Sequence, residues 1–138
     1  MIELTRRYRF PAAHVLRSAA LSDADNRRIY GKCATPHGHG HNYGLEVTVR
    51  GPVDARTGRI LSLERLDEIV QREVLDRFGY RLLNEDPLFE RAVPTAENIA
   101  RALTRLLAGP VARQSRARVS RVRLVETRRN SFECEGEQ

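Results

Sequence analysis

Four histidines occur in the chain, and three of them alternate with glycine inside CATPHGHGHNY, residues 33–43. In an extended segment, residues i, i+2 and i+4 project to one side. His37, His39 and His41 would then share a face, and Gly38 and Gly40 would let the backbone approach closely. Neutral imidazole is the commonest biological metal ligand, and it suits zinc. A catalytic zinc takes three protein ligands and keeps one position open. Two histidines at i and i+2 on one strand, plus one from a neighbouring strand, supply such a set. His14 is the only other histidine. Spacing alone leaves open which two of the three clustered histidines take part. A His-x-His pair by itself is as often a surface feature or a nonspecific metal scavenger. The distant His14 and the nearby Cys33 favour a built site.

Such a site needs strands to hold it. Residues 2–10 alternate loosely and predict a strand. Asn42–Arg50 alternate well, with Tyr43, Leu45, Val47 and Val49 on one face and Glu46, Thr48 and Arg50 on the other. GPVDARTG (51–58) reads as a turn, and Arg59–Leu61 as a short third strand paired with the second. Ser62 can cap a helix whose apolar stripe is Leu66, Ile69, Val70, Val74 and Phe78. Residues 79–94, with Pro87 and Pro94, read as a long irregular connection of the kind that often carries function. Thr95 caps a second helix, with Ile99, Leu103, Leu106 and Leu107 as its stripe and Gly109-Pro110 as its stop. Arg118–Thr127 predict a strand, which turns at 127–130 and returns over Ser131–Glu135. The order β-β-β-α-α-β-β predicts an α+β fold, an antiparallel sheet under two helices. The edges of so small a sheet call for pairing between subunits.

Composition sets the bounds. A chain of 138 residues predicts one domain over 1–138. With 41% hydrophobic and 30% charged residues it is neither disordered nor membrane-embedded, and no apolar run approaches the roughly 18 residues of a membrane span. The N-terminal MIELTRRYRF has no apolar signal core, and two cysteines do not form a disulfide framework. A reduced, cytoplasmic chain is the expectation. The net charge of +6 admits nucleic acid, an anionic membrane or a small polyanion as partner. Lys32 is the only lysine, so nearly all the positive charge is guanidinium. Seven arginines fall between Arg113 and Arg129, yet no aromatic is interleaved with them for base stacking. Nucleic-acid binding is therefore the weaker reading.

Taken together, FPAAH (10–14), GKC (31–33), HGHNY (39–43), DARTGRILSL (54–63), PTAEN (94–98) and VETRRN (125–130) closely resemble the 6-pyruvoyl-tetrahydropterin synthase family, which includes the 6-carboxy-tetrahydropterin synthases of queuosine synthesis. The resemblance covers nearly the whole chain. It implies the tunnelling fold, a four-stranded antiparallel sheet with two helices on one face. Subunits of that fold join into a barrel, typically a homohexamer of two trimers. It also implies zinc on His14, His39 and His41. Carboxy-type members resemble C-x3-H-G-H, which selects His37 and His39. Pyruvoyl-type members resemble C-x5-H-G-H, which selects His39 and His41. The second is adopted because HGHNY runs directly into the strand that fixes the ligand geometry.

The implied substrate is 7,8-dihydroneopterin triphosphate, and the implied enzyme a carbon–oxygen lyase. Zinc polarises the side-chain hydroxyls. Cys33 is the expected base, since a thiolate beside a cation has a depressed pKa. The pterin ring presents N–H donors along its amino-pyrimidine edge, and a carboxylate accepts two in parallel. Glu126 matches the family's ring anchor, with Thr95 and Glu97 as pocket neighbours. Glu97 reads equally as a first-turn helix acid. One departure stands out. Pyruvoyl-type members resemble D-H-R-x-L-N after the first helix, and here GYRLLN (79–84) puts Gly79-Tyr80 in place of the Asp-His relay. Tyr80 as an acid, or His37 as an imidazole, would stand in. Otherwise the chain is a pterin- or purine-binding paralogue with altered or lost catalysis.

Overall fold

A computed structural model describes residues 1–137. Strand β1 runs Ile2–His14 and pairs antiparallel with β2, His39–Gly51. On its other side β2 pairs antiparallel with β4, Arg118–Val125, which pairs with β5, Ser131–Glu135. A two-residue strand β3, Arg81–Leu82, lies parallel to the end of β1. The sheet therefore has five strands in the order β3-β1-β2-β4-β5, not the expected four. Among the described residues no helix is long and apolar enough to cross a membrane.

Side-chain alternation gives the sheet one dry face. Phe10, Tyr43, Leu45, Val47, Val122 and Leu124 are fully buried on it. Against that face pack helix α2, Leu63–Val70, extended through a π-helical turn at Gln71–Leu75 to α3, Asp76–Phe78, and helix α4, Ala96–Gln114. The expected stripes are the buried ones: Leu66, Ile69, Val70, Val74 and Phe78 on the first pair of helices, and Ile99, Leu103 and Leu107 on α4. The open face is charged. Arg123 reaches Glu46 at 3.3 Å and Glu133 at 3.9 Å, one of several cross-strand pairs.

Three local expectations fail for identifiable reasons, and one helix has no counterpart among them. Arg59–Leu61 is not a strand, because both edges of β2 are already taken by β1 and β4. The Asp54 carboxylate also closes the preceding turn by accepting from the Arg56 and Thr57 N–H groups, both at 2.9 Å. Gly109-Pro110 does not stop α4. The helix carries Pro110 in its interior, buries Leu107 and Val111 on either side of it, and ends at Ser115 instead. Residues 79–94 are not irregular throughout, since they hold β3 and two 3₁₀ turns, Leu83–Glu85 and Pro87–Phe89. Helix α1, Asp23–Tyr30, gave no signal because it has no apolar stripe, and its one large apolar residue, Ile29, is half exposed. Polar bonds hold it. Ser22 caps it, and buried Asn26 bonds the Ser18, Leu21 and Ser22 carbonyls and the Ser18 N–H.

Candidate active site

The β1–β2 register sets the site. His14 lies opposite His39, Ala12 opposite His41 and Phe10 opposite Tyr43, so all the rings point to the helix side. His14 ends β1 and is 1% exposed. Its Nδ1 lies 2.8 Å from the Pro94 carbonyl oxygen, which only accepts, so Nδ1 carries the proton and donates. That leaves the Nε2 lone pair free. The Tyr43 hydroxyl lies 3.3 Å from the same Nδ1. Nε2 of His14 and Nε2 of His41 are both buried without a hydrogen-bond partner among the described residues. The two rings stand edge to face with centroids 5.0 Å apart. A ligand atom from each, and one from the Glu126 carboxylate, lie within 4.8 Å of one another.

Two buried, unpartnered imidazole nitrogens facing a carboxylate are costly without an occupant. The donor set of nitrogen and carboxylate oxygen suits a divalent cation such as zinc. Burial holds His41 below its ordinary pKa, helped by His14 and His39 and opposed by Glu126. Neutral imidazole is the form that binds metal. Burial pushes the Tyr43 phenol well above its ordinary range, and the charges of Glu126 and Cys33 add to this. Tyr43 therefore stays protonated.

The other expected residues are distributed unevenly. His39 is on the same strand face, 6.5 Å from His41 between ring centroids, with its Nε2 3.3 Å from the Lys32 carbonyl. Cys33 sits half-buried in the 3₁₀ turn Gly31–Ala34, whose Cys33 carbonyl accepts the Leu16 N–H at 2.8 Å. That bond holds the turn beside the chain leaving His14. Gly38 is the close approach that the His-Gly alternation anticipates: its φ is +63°, and a Cβ there would lie 2.3 Å from the His14 carbonyl oxygen. Gly40 is not, having open space around it. His37 is exposed in the turn before β2. Tyr80 is 91% exposed on backbone with φ +60°, beside a hollow of about 400 Å³ lined by Pro11, Ala12, Gly40, His41 and Asn42. Thr95 caps α4 by accepting the Asn98 N–H at 3.3 Å, and Glu97 is exposed in the first turn.

Two participants were not assigned from sequence. The Pro94 carbonyl orients His14, and a backbone oxygen leaves no residue-type signal. Tyr43 adjoins the histidine cluster in HNY, and its position two residues after His41 on the same face was the available clue. Glu126 was assigned to the ring alone, yet it stands with the histidines.

Fold and site together define an α+β protein with a histidine–carboxylate centre suited to a metal ion. The family model for 6-pyruvoyl tetrahydropterin synthase matches residues 3–137, and the chain belongs to that family. A Drosophila melanogaster 6-pyruvoyl tetrahydrobiopterin synthase is 46% identical over 98 residues, 70% of this chain but only 58% of the fly protein. The Homo sapiens enzyme is 39% identical over 99 residues, covering 71% of this chain and 68% of its own length. The structure of Caenorhabditis elegans 6-pyruvoyl tetrahydropterin synthase superposes with a TM-score of 0.88 at 35% identity, over 99% of this chain and 96% of the worm chain.

Proposed function

We propose that the chain is a zinc-dependent carbon–oxygen lyase acting on 7,8-dihydroneopterin triphosphate or a related dihydropterin, with loss of triphosphate or side chain. The carrying observation is the pair of buried, unpartnered Nε2 atoms of His14 and His41 beside Glu126. His14, His39 and His41 would hold the zinc, with His39 turning from the Lys32 carbonyl. When bound, the metal polarises the substrate's hydroxyls and makes the adjoining C–H more acidic. Cys33 takes the proton released. Glu126 accepts two N–H groups of the ring, with Thr95 and Glu97 at the edge of the pocket.

Assembly into a barrel of subunits, as a homohexamer, belongs to the same proposal. β1 pairs with β3 only at Ala12 and Ala13, so most of its outer edge is open to a second copy. Two free, half-buried cysteines fit a reducing, cytoplasmic setting.

A second reading is a pterin- or purine-binding protein without turnover, and Gly79-Tyr80 favours it. A Cβ at Gly79 would lie 2.5 Å from the Leu75 carbonyl oxygen, so this backbone has no room for the relay aspartate. Tyr80 and His37 both sit at the surface, and Tyr80 shares a hollow with His41. Incubating zinc-loaded protein with dihydroneopterin triphosphate and identifying the products decides between the readings. Released triphosphate with a 6-pyruvoyl or 6-carboxy product supports the lyase and gives its type. Pterin binding without turnover supports the second reading.

A further inference from the structure

The Glu126 carboxylate is claimed twice. The ring-anchor role needs both of its oxygens for pterin N–H groups. Yet the same carboxylate stands within 4.8 Å of the histidine ligand atoms. The ring edge and a metal ion compete for the orientation of this one carboxylate.

Around a tetrahedral zinc with bonds of 2.0–2.1 Å, ligand atoms lie about 3.3 Å apart. The His14, His41 and Glu126 group must therefore draw together by up to about 1.5 Å to close on an ion. His14 cannot supply that movement, because it is buried and its Nδ1 is tied to Pro94. Glu126 can. It is the first residue beyond β4, half-buried, with its N–H fixed to the Asn130 carbonyl at 3.1 Å. Its carboxylate has no hydrogen-bond or ion-pair partner in the protein among the described residues. The backbone is anchored while the side chain is free to turn, which is what a carboxylate moving between two partners requires.

We propose that Glu126 is a switching ligand: without substrate it completes the metal site, and the arriving pterin ring draws it away. This rests on the metal and ring-anchor reading above. Three histidines and Glu126 make four protein ligands, the closed pattern of a structural zinc. Removing Glu126 leaves three protein ligands and an open position, the catalytic pattern. Ring recognition thus uncovers the position that the substrate's side chain needs. Metal and ring then compete for one group, and linkage requires each to weaken the other by the same factor.

Zinc affinity measured by competition with a chromophoric chelator tests this, with no turnover involved. The second ligand is unsubstituted pterin, which has the amino-pyrimidine edge but no side-chain hydroxyl to reach the metal. Glu126→Gln should weaken zinc binding about tenfold or more, at least as much as losing a group that only orients a ligand. Saturating pterin should weaken zinc binding to the unaltered protein to a similar degree. It should also change the visible absorption of the cobalt(II)-substituted form. Zinc affinity within twofold of the unaltered protein in Glu126→Gln, or pterin leaving both zinc affinity and the cobalt spectrum unchanged, overturns the switch. If Glu126→Gln does not fold, the pterin titration of the unaltered protein decides alone. If His14→Ala and His41→Ala keep full zinc affinity, the underlying metal centre is wrong and the switch falls with it. If those variants lose zinc while Glu126→Gln does not, only the switch fails.

Discussion

His14 donates a hydrogen bond to the Pro94 carbonyl oxygen at 2.8 Å, across a sequence separation of 80 residues. That contact fixes the imidazole tautomer, so the face toward His41 and Glu126 presents a lone pair instead of a proton. It also ties the start of α4 to the end of β1. The Tyr43 hydroxyl, 3.3 Å from the same nitrogen, gives a side-chain handle on this arrangement. Tyr43→Phe should retain the fold and weaken zinc binding by about tenfold, the lower end for a group that orients a metal ligand. Chelator competition at fixed pH measures it, and unchanged affinity would show that Pro94 suffices.

His39→Ala should abolish stoichiometric zinc, whereas His37→Ala, at an exposed position, should leave about one ion per subunit. Metal content after gel filtration is the measurement. The reverse result would move the ligand register to His37 and His39.

The two glycines of the His-Gly repeat should behave oppositely. Gly38→Ala puts a methyl 2.3 Å from the His14 carbonyl oxygen at a φ of +63°, and should cost about 2 kcal/mol or more. Gly40→Ala has open space and should change stability by less than about 0.5 kcal/mol. Denaturant melts compare them, and equal losses would mean that the steric argument at Gly38 is wrong.

Rebuilding the missing relay should fail structurally before it fails chemically. Gly79→Asp brings its Cβ to 2.5 Å from the Leu75 carbonyl and should destabilise by about 2 kcal/mol or more. Tyr80→Gly should stabilise by about 0.5–1 kcal/mol, because it relieves a left-handed φ of +60° and gives up a side chain that is 91% exposed. Thermal midpoints report both signs. A Gly79→Asp variant as stable as the parent would show that the α3–β3 corner yields.

Acid stability should have a component from the loop after α3. Arg77 donates two hydrogen bonds to the Asp86 carboxylate, at 2.9 and 3.0 Å, and holds it below the usual carboxylate range. A depressed carboxylate contributes stability that is present above its unfolded pKa of about 3.9 and is lost as pH falls through the folded value. Asp86→Asn should cost about 1 kcal/mol at pH 7 and flatten the stability profile below about pH 4. Urea midpoints from pH 2 to 7 check it, and a parallel offset at every pH would mean that the pair carries no linkage.

What residue order determines here is periodic and local. Alternation in 42–50 gave the strand and its buried face, and the apolar stripes placed both main helices over it. The His-Gly alternation puts His37, His39 and His41 on one face of an extended segment, but β2 begins at His39 and leaves His37 in the preceding turn. Only the tertiary structure decided what meets that face. β1 could be read as a strand, but the pairing of His14 with His39 and of Ala12 with His41 follows from a register that both strands set together. Arg59–Leu61 failed as a strand because β2 had no free edge, a fact about its neighbours. Helix α1 was missed because one buried asparagine, not an apolar stripe, holds it. The same holds at the centre of the site. Pro94 contributes a backbone oxygen that every residue type possesses, and Glu126 arrives from the far end of the chain. Contacts of that kind depend on where the backbone goes, and packing of the whole chain sets that path.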